Sequence, residues 1–173
     1  GLPSAVAFFG DGFWIVGAAM NLKAASVAVI FASLLALLIP LLTVSGTIRA
    51  LPRLDRERML LVWPLAALAG WLTVAAPLNL ITTLTAFDAL PAALSPSLWA
   101  IVAILTVTVV ALGVTASLRT LAYPLPAAWG LLGAFVAEQA EKPAVAFTAL
   151  GGAVVLLIAG VLLSFRLRPG VER

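Results

Sequence analysis

Three side chains near the middle of the chain could together hold a flat apolar molecule. Trp71, Ala75 and Asn79 follow one another at spacings of four residues inside a long apolar run. Residues four apart lie on the same face of an α-helix, so an indole, a small gap and an amide would line up. Such a face can stack an aromatic ligand and hydrogen-bond its polar groups. The alternative is structural: an interhelical hydrogen bond from Asn79 beside an aromatic packing residue.

Catalytic and metal chemistry finds little support in the sequence. The chain contains no histidine and no cysteine, which removes thiol nucleophiles, disulfides, soft-metal sites and the usual general base. No pair of carboxylates shares a buried helix face, and nothing resembles an activated nucleophile. We therefore expect no enzyme, no catalytic residues, no metal site and no covalently bound cofactor. A porphyrin metal would find only Met20, Met59, Tyr123, an amide oxygen or water as ligands, so a tightly held haem is not expected.

Asp11 leaves two alternatives open. It interrupts an apolar run, and carboxylates within a membrane span are often functional. It also lies close to the start of the sequence, where a span beginning later would place it at the membrane surface.

The composition assigns these residues to membrane helices. The 173 residues are 64% hydrophobic and 10% charged, against about 25% charged residues in an ordinary soluble domain. The chain has room for five or six spans of about 20 residues. We predict an all-α, polytopic transmembrane helical bundle with about six spans, forming a single domain over residues 1–173 and lacking an N-terminal portion. The apolar runs are Ala5–Leu22, Ala24–Ile48, Leu60–Phe87, Leu98–Leu118, Leu121–Ala137 and Ala144–Phe165.

Arginines occupy alternate junctions between the runs, and this pattern orients the bundle. Basic residues near span ends stay preferentially on the cytoplasmic side, so the pattern predicts a cytoplasmic C-terminus. The net charge of +3 therefore reflects topology, and we expect no nucleic-acid partner. Trp63, Trp99 and Trp129 lie near predicted span ends and are interpreted as interfacial residues. The arginines are Arg49, Arg53, Arg56 and Arg58 after the second run, Arg119 after the fourth, and Arg166, Arg168 and Arg173 after the sixth.

The segment containing Trp71, Ala75 and Leu78-Asn79 resembles the Trp, three residues, Ala, two residues, Leu-Asn pattern of the tryptophan-rich sensory protein family, also called translocator or TspO-like proteins. Phe13-Trp14 with Asn21 is similar to the preceding family helix, although Ala24 stands where the family has a Trp. Tyr123 with Trp129-Gly130 resembles a longer bacterial branch with additional C-terminal helices.

The resemblance implies a pocket that binds porphyrins or other flat hydrophobic ligands. Carried over by position, the implied pocket residues are Trp71, Ala75 and Asn79, together with Trp14 and Asn21. It further implies a protein of the bacterial inner membrane that binds a hydrophobic ligand, a tetrapyrrole held non-covalently, for sensing or trafficking.

Two other functions remain open from the sequence. The smooth, Ala/Leu/Val-rich helices would also suit an accessory subunit packed against a larger membrane complex, such as a photosynthetic pigment–protein assembly. A transporter is the weaker alternative, because no inverted repeat is evident. Membrane lipids, a hydrophobic small molecule and either a second copy or a larger complex are the expected partners.

Overall fold

The computed structural model describes residues 1–52 and 55–165, and all of its regular secondary structure is helical. A π-helical turn, Arg58–Val62, runs directly into α4. Of the basic residues used above to orient the bundle, Arg53, Arg166, Arg168 and Arg173 lie outside the described residues. The α-helices are α1 Leu2–Ala19, α2 Lys23–Thr43, α3 Ser45–Ala50, α4 Trp63–Ala86, α5 Pro96–Leu118, α6 Pro124–Glu138 and α7 Pro143–Phe165.

The predicted all-helical membrane bundle is confirmed, whereas the number of spans holds only approximately. Within the described residues, four helical segments are long and apolar enough to cross a bilayer: Lys23–Thr43, Arg58–Ala86, Pro96–Leu118 and Pro143–Ser164. The apolar part of α1 is shorter, and α6 has 15 residues. At a rise of 1.5 Å per residue, α6 covers about 22 Å, less than the roughly 30 Å of a hydrocarbon core.

The helices pack as a chain of neighbours with one closed group of four. The first helix, α1, packs against α2, and α2 packs in turn against α4. Helix α4 contacts α5 and α6, while α7 packs against both α5 and α6. Helices α5 and α6 touch each other only slightly, so a gap remains between them inside the group α4 to α7.

Two ends of the bundle differ in charge. We call the end that carries Arg49, Arg58 and Arg119 the arginine end, and the opposite end, with Lys23 and Lys142, the lysine end. The Lys23 ammonium lies 5.9 Å from the centre of the Phe87 ring, which brings the start of α2 to the end of α4. The alternation of charge predicted from the sequence therefore appears as two opposite ends among the described residues.

Arg58 holds the arginine end together. Its side chain is buried, with 7% of its surface exposed. The guanidinium donates hydrogen bonds to the carbonyls of Ile48 at 3.2 Å, Leu51 at 3.1 Å and Arg119 at 3.0 Å. Because helix ends leave carbonyl groups without intrahelical partners, one planar fork of donors joins the ends of α3 and α5 to the start of α4.

Glycines allow α4 and α6 to approach closely. A Cβ added to Gly70 would overlap the carbonyl oxygen of Tyr123, and one on Gly130 would lie 3.1 Å from a methyl group of Val74. In lipid, helix association depends on such close packing, since the surrounding acyl chains are as apolar as the side chains. These two contacts set the distance between α4 and α6 beside the gap.

Candidate ligand-binding cavity

A large space in the described part of the protein lies between α4, α5, α6 and the first turn of α7. It is a cavity of about 670 Å³ in the half of the bundle nearer the lysine end. This volume falls within the roughly 300–1,000 Å³ typical of small-molecule sites. The space is therefore large enough for a ligand with several fused or linked rings.

Small residues create the cavity. The face that α5 turns towards it carries Ala100 and Ala103, and the facing side of α6 carries Gly133, Ala134 and Ala137. None of these side chains extends beyond a methyl group, so α5 and α6 leave space where larger residues would close it. Gly130 and Val74, which pack closely against each other, also belong to the cavity wall.

Two tryptophan side chains line the cavity. Trp71 comes from α4 and is 42% exposed, while Trp129 comes from α6 and is 72% exposed. Aromatic rings offer flat, polarisable surface against which another ring system stacks favourably. Since Trp129 is so exposed, the cavity opens sideways, towards the region that lipid would occupy.

Polar groups in the wall lie towards the lysine end. Thr82 and Thr85 donate their hydroxyl protons at 2.8 Å to the carbonyls of Leu78 and Ile81, which leaves the hydroxyl oxygens available as acceptors. Glu138 and Lys142 also line the cavity and form an ion pair, with Nζ 2.9 Å from Oε2. The cavity is thus apolar at one end and polar at the other.

The three predicted pocket residues of α4 do not lie at one site in the structure. Trp71 lines the cavity, whereas Ala75 packs half-buried against the hydrophobic core. Asn79 turns towards α2: its amide nitrogen lies 3.5 Å from Ser26 Oγ, and its carbonyl oxygen accepts a hydrogen bond from Thr83 Oγ1 at 3.4 Å. The contact with Ser26 is interhelical, as in the structural alternative raised from the sequence, whereas the contact with Thr83 lies within α4. Neither Ala75 nor Asn79 belongs to the cavity wall.

The two remaining predicted residues lie away from the cavity, which takes no residue from α1 or α2. Trp14 is on α1, half-buried against the core, and its buried indole nitrogen has no hydrogen-bond partner among the described residues. Asn21 is exposed in the turn between α1 and α2, where its φ of 59° is one that asparagine tolerates better than most residues. Ligand binding at these positions stays a prediction.

A shallower groove of about 450 Å³ runs between α1 and α2. Phe9 and Phe13 form its exposed sides, and Ser33 lies at its base with a buried hydroxyl that has no partner among the described residues. Asp11 lies midway along α1 and is half-buried. One of its carboxylate oxygens is likewise buried without a hydrogen-bond partner among the described residues. Helix α1 begins before Asp11 but is not among the four segments long enough to cross a bilayer, so a role for Asp11 within the membrane stays a prediction.

Trp129 is the main cavity residue that the sequence interpretation assigned elsewhere. Its position near a predicted span end favoured an interfacial role, but in the structure it borders the cavity. The pattern that could have indicated this is the run of small residues that follows it, Gly130, Gly133, Ala134 and Ala137, on one face of α6. A stripe of this kind beside a tryptophan leaves room for a ligand unless a neighbouring helix fills it.

Comparison with known proteins agrees with the resemblance inferred from the segment around Trp71. The sequence model of the family described as TSPO-like protein matches residues 1–162. Neither the curated proteins nor the solved structures contain a match to this chain. The family match covers all of the described helices except the last residues of α7, and the chain is therefore a multi-pass membrane protein that belongs to the TSPO-like protein family.

Proposed function

We propose that this protein binds a flat hydrophobic ligand, a tetrapyrrole, in the cavity between α4 and α7, and that it serves sensing or trafficking of that ligand. The observation that carries the proposal is the cavity itself, which combines sufficient volume, mostly apolar walls and two tryptophans. Ligand sites in helical bundles usually lie between helices and join apolar walls to a few polar groups. No catalytic step is needed for this role.

The alternative of an accessory subunit predicts a different interior. If packing against a larger complex were the main role, side chains would fill the space beside Trp71. The wall of the cavity instead carries glycines and alanines on α5 and α6, which favours a binding protein. The proposed location is the inner membrane of a bacterium, with the arginine end towards the cytoplasm.

Ligand titration of tryptophan variants tests the proposal. The protein is placed in lipid nanodiscs, protoporphyrin IX is added, and binding is followed by the shift of its absorption band and by quenching of tryptophan fluorescence. Loss of one aromatic stacking contact, worth about 0.5–1.5 kcal/mol, should weaken binding roughly 2- to 12-fold in Trp71→Leu and in Trp129→Leu.

Trp63→Leu is the matched control, because Trp63 is equally exposed on α4 but lies outside the cavity wall. It should bind as the wild type does. Unchanged affinity in both cavity variants, with normal helical content, would reject the cavity as the binding site. Absence of binding by the wild type would reject the function.

A further inference from the structure

The charged residues of the cavity wall point to the chemistry of the ligand. Two charged side chains line the described cavity, Glu138 and Lys142, and both lie at its lysine end. Glu138 is the last residue of α6, and Lys142 immediately precedes α7. From these positions we propose, on the basis of the proposed function, that the ligand carries a carboxylate and that Lys142 binds it.

Lys142 is the cation in a wall that otherwise offers few hydrogen-bond donors. The hydroxyl protons of Thr82 and Thr85 are already used within α4, so these residues can only accept. The indole nitrogens of Trp71 and Trp129 are neutral donors. A charge-assisted bond from an ammonium to a carboxylate is shorter and stronger than a bond between neutral groups.

Glu138 holds Lys142 at the cavity in the absence of a ligand. The side chains of the pair are about one third and nearly one half exposed, and exposed pairs of this kind contribute little. A carboxylate at the end of α6 also faces the negative end of the helix dipole, which disfavours it. A ligand carboxylate can therefore replace Glu138 as the partner of Lys142 with little loss.

The dimensions of the wall agree with a ligand that is acidic at one end. Trp71 and Thr85 are fourteen residues apart on α4, which corresponds to about 21 Å along the helix axis. An apolar ring system can lie beside Trp71 and Trp129 while its acidic substituent reaches Lys142. In this arrangement the carboxylate lies at the lysine end, near the membrane surface, and the rings lie deeper.

The test compares one ring system with and without its carboxylates. Protoporphyrin IX and its dimethyl ester are titrated separately into the wild-type protein in nanodiscs of neutral lipid. The free acid should bind at least several-fold more tightly than the ester. Lys142→Gln should lower the affinity for the acid to that for the ester and leave the ester unaffected, whereas Glu138→Gln should tighten binding of the acid alone.

The other lysine of the chain supplies a matched control. Lys23 is at the same end of the bundle but outside the cavity wall, so Lys23→Gln removes the same charge without touching the site. It should leave the preference for the acid intact. If Lys23→Gln and Lys142→Gln weaken binding of the acid equally, the preference comes from the general field of the protein, and the inference is overturned.

The result also separates this inference from the proposed function. Equal affinity of the wild type for acid and ester overturns carboxylate recognition while porphyrin binding stands. Binding of neither compound rejects the proposed function. Displacement of the ester by equimolar oleate, lost in Lys142→Gln, would support carboxylate recognition and would extend the accepted ligands to fatty acids.

Discussion

Tyr123, which immediately precedes α6, and Thr73 on α4 form a buried polar pair. Tyr123 has none of its surface exposed, and its hydroxyl lies 2.8 Å from Thr73 Oγ1. Thr73 Oγ1 donates its single proton to the Ala69 carbonyl at 2.8 Å. The tyrosine hydroxyl must therefore be the donor of the pair, and Thr73 is its one described partner.

This direction of donation makes the two single substitutions unequal. Tyr123→Phe removes one hydrogen bond and leaves the bond from Thr73 to Ala69 in place, so it should cost about 0.5–1.5 kcal/mol of stability. Thr73→Val leaves a buried tyrosine hydroxyl without a partner, which should cost about 1–3 kcal/mol. Unfolding in mild detergent, followed by circular dichroism, measures both values.

Combining the substitutions provides the check. The double variant should be no less stable than Thr73→Val, because the orphaned hydroxyl is gone. A larger loss in Tyr123→Phe than in Thr73→Val would contradict the assigned direction of the hydrogen bond.

Residue types alone predicted some of the cavity and could not predict the rest. Trp71, one of the predicted pocket residues, lines the cavity, but Asn79, eight positions later, turns towards α2. Each step of four residues advances about 40° around a helix, so the two side chains differ by about 80°. Which neighbour occupies that angle is decided by tertiary packing, and one helix considered alone does not contain this information.

Helices α4 and α6 meet at Gly70, where the backbone of Tyr123 leaves no room for a methyl group. Gly70→Ala should therefore force the helices apart. Because the obstructing atom belongs to the backbone and cannot rotate away, we expect a loss of about 1–3 kcal/mol, the usual range for overpacking. The thermal midpoint of unfolding in detergent should fall by several degrees.

The control is the same substitution at Gly113 on α5, where an added Cβ meets nothing within 4 Å. Gly113→Ala should leave the midpoint unchanged or raise it slightly, since alanine favours the helix. Equal effects of the two substitutions would show that α4 and α6 are not in close contact in the membrane.

The sequence predicted where a helix begins or ends only at positions that carry a polar residue or a proline. Pro96, Pro124 and Pro143 each begin a helix, as expected for a residue whose missing N–H is harmless in the first turn. The second apolar run was expected to continue to Ile48, but α2 ends at Thr43 and α3 begins at Ser45. Apolar character alone does not locate such a break, because the residues on both sides of it are suitable for lipid.

The two ends of the molecule define its orientation in the membrane. If the arginine end faces the cytoplasm, residue 57 lies inside and residue 89, in the turn after α4, lies outside. The chain has no native cysteine, so single cysteines can be introduced without background. With a membrane-impermeant maleimide on intact cells, Ala89→Cys should be labelled and Glu57→Cys should be protected.

Permeabilised cells provide the reference, in which both cysteines should react, since both native side chains are exposed. The opposite labelling pattern would invert the orientation and place the polar end of the cavity on the cytoplasmic side. It would leave the cavity itself unaltered.

The buried Arg58 has a consequence for the order in which the protein is made. Two of its described acceptors, the carbonyls of Ile48 and Leu51, are synthesised before it, but the third, at Arg119, follows 61 residues later. That last bond can form only after α4 has crossed, α5 has returned and the ribosome has passed residue 119. The arginine fork is therefore complete only once the whole α4–α5 hairpin has been made, and until then Arg58 binds the end of α3 alone among its three described acceptors.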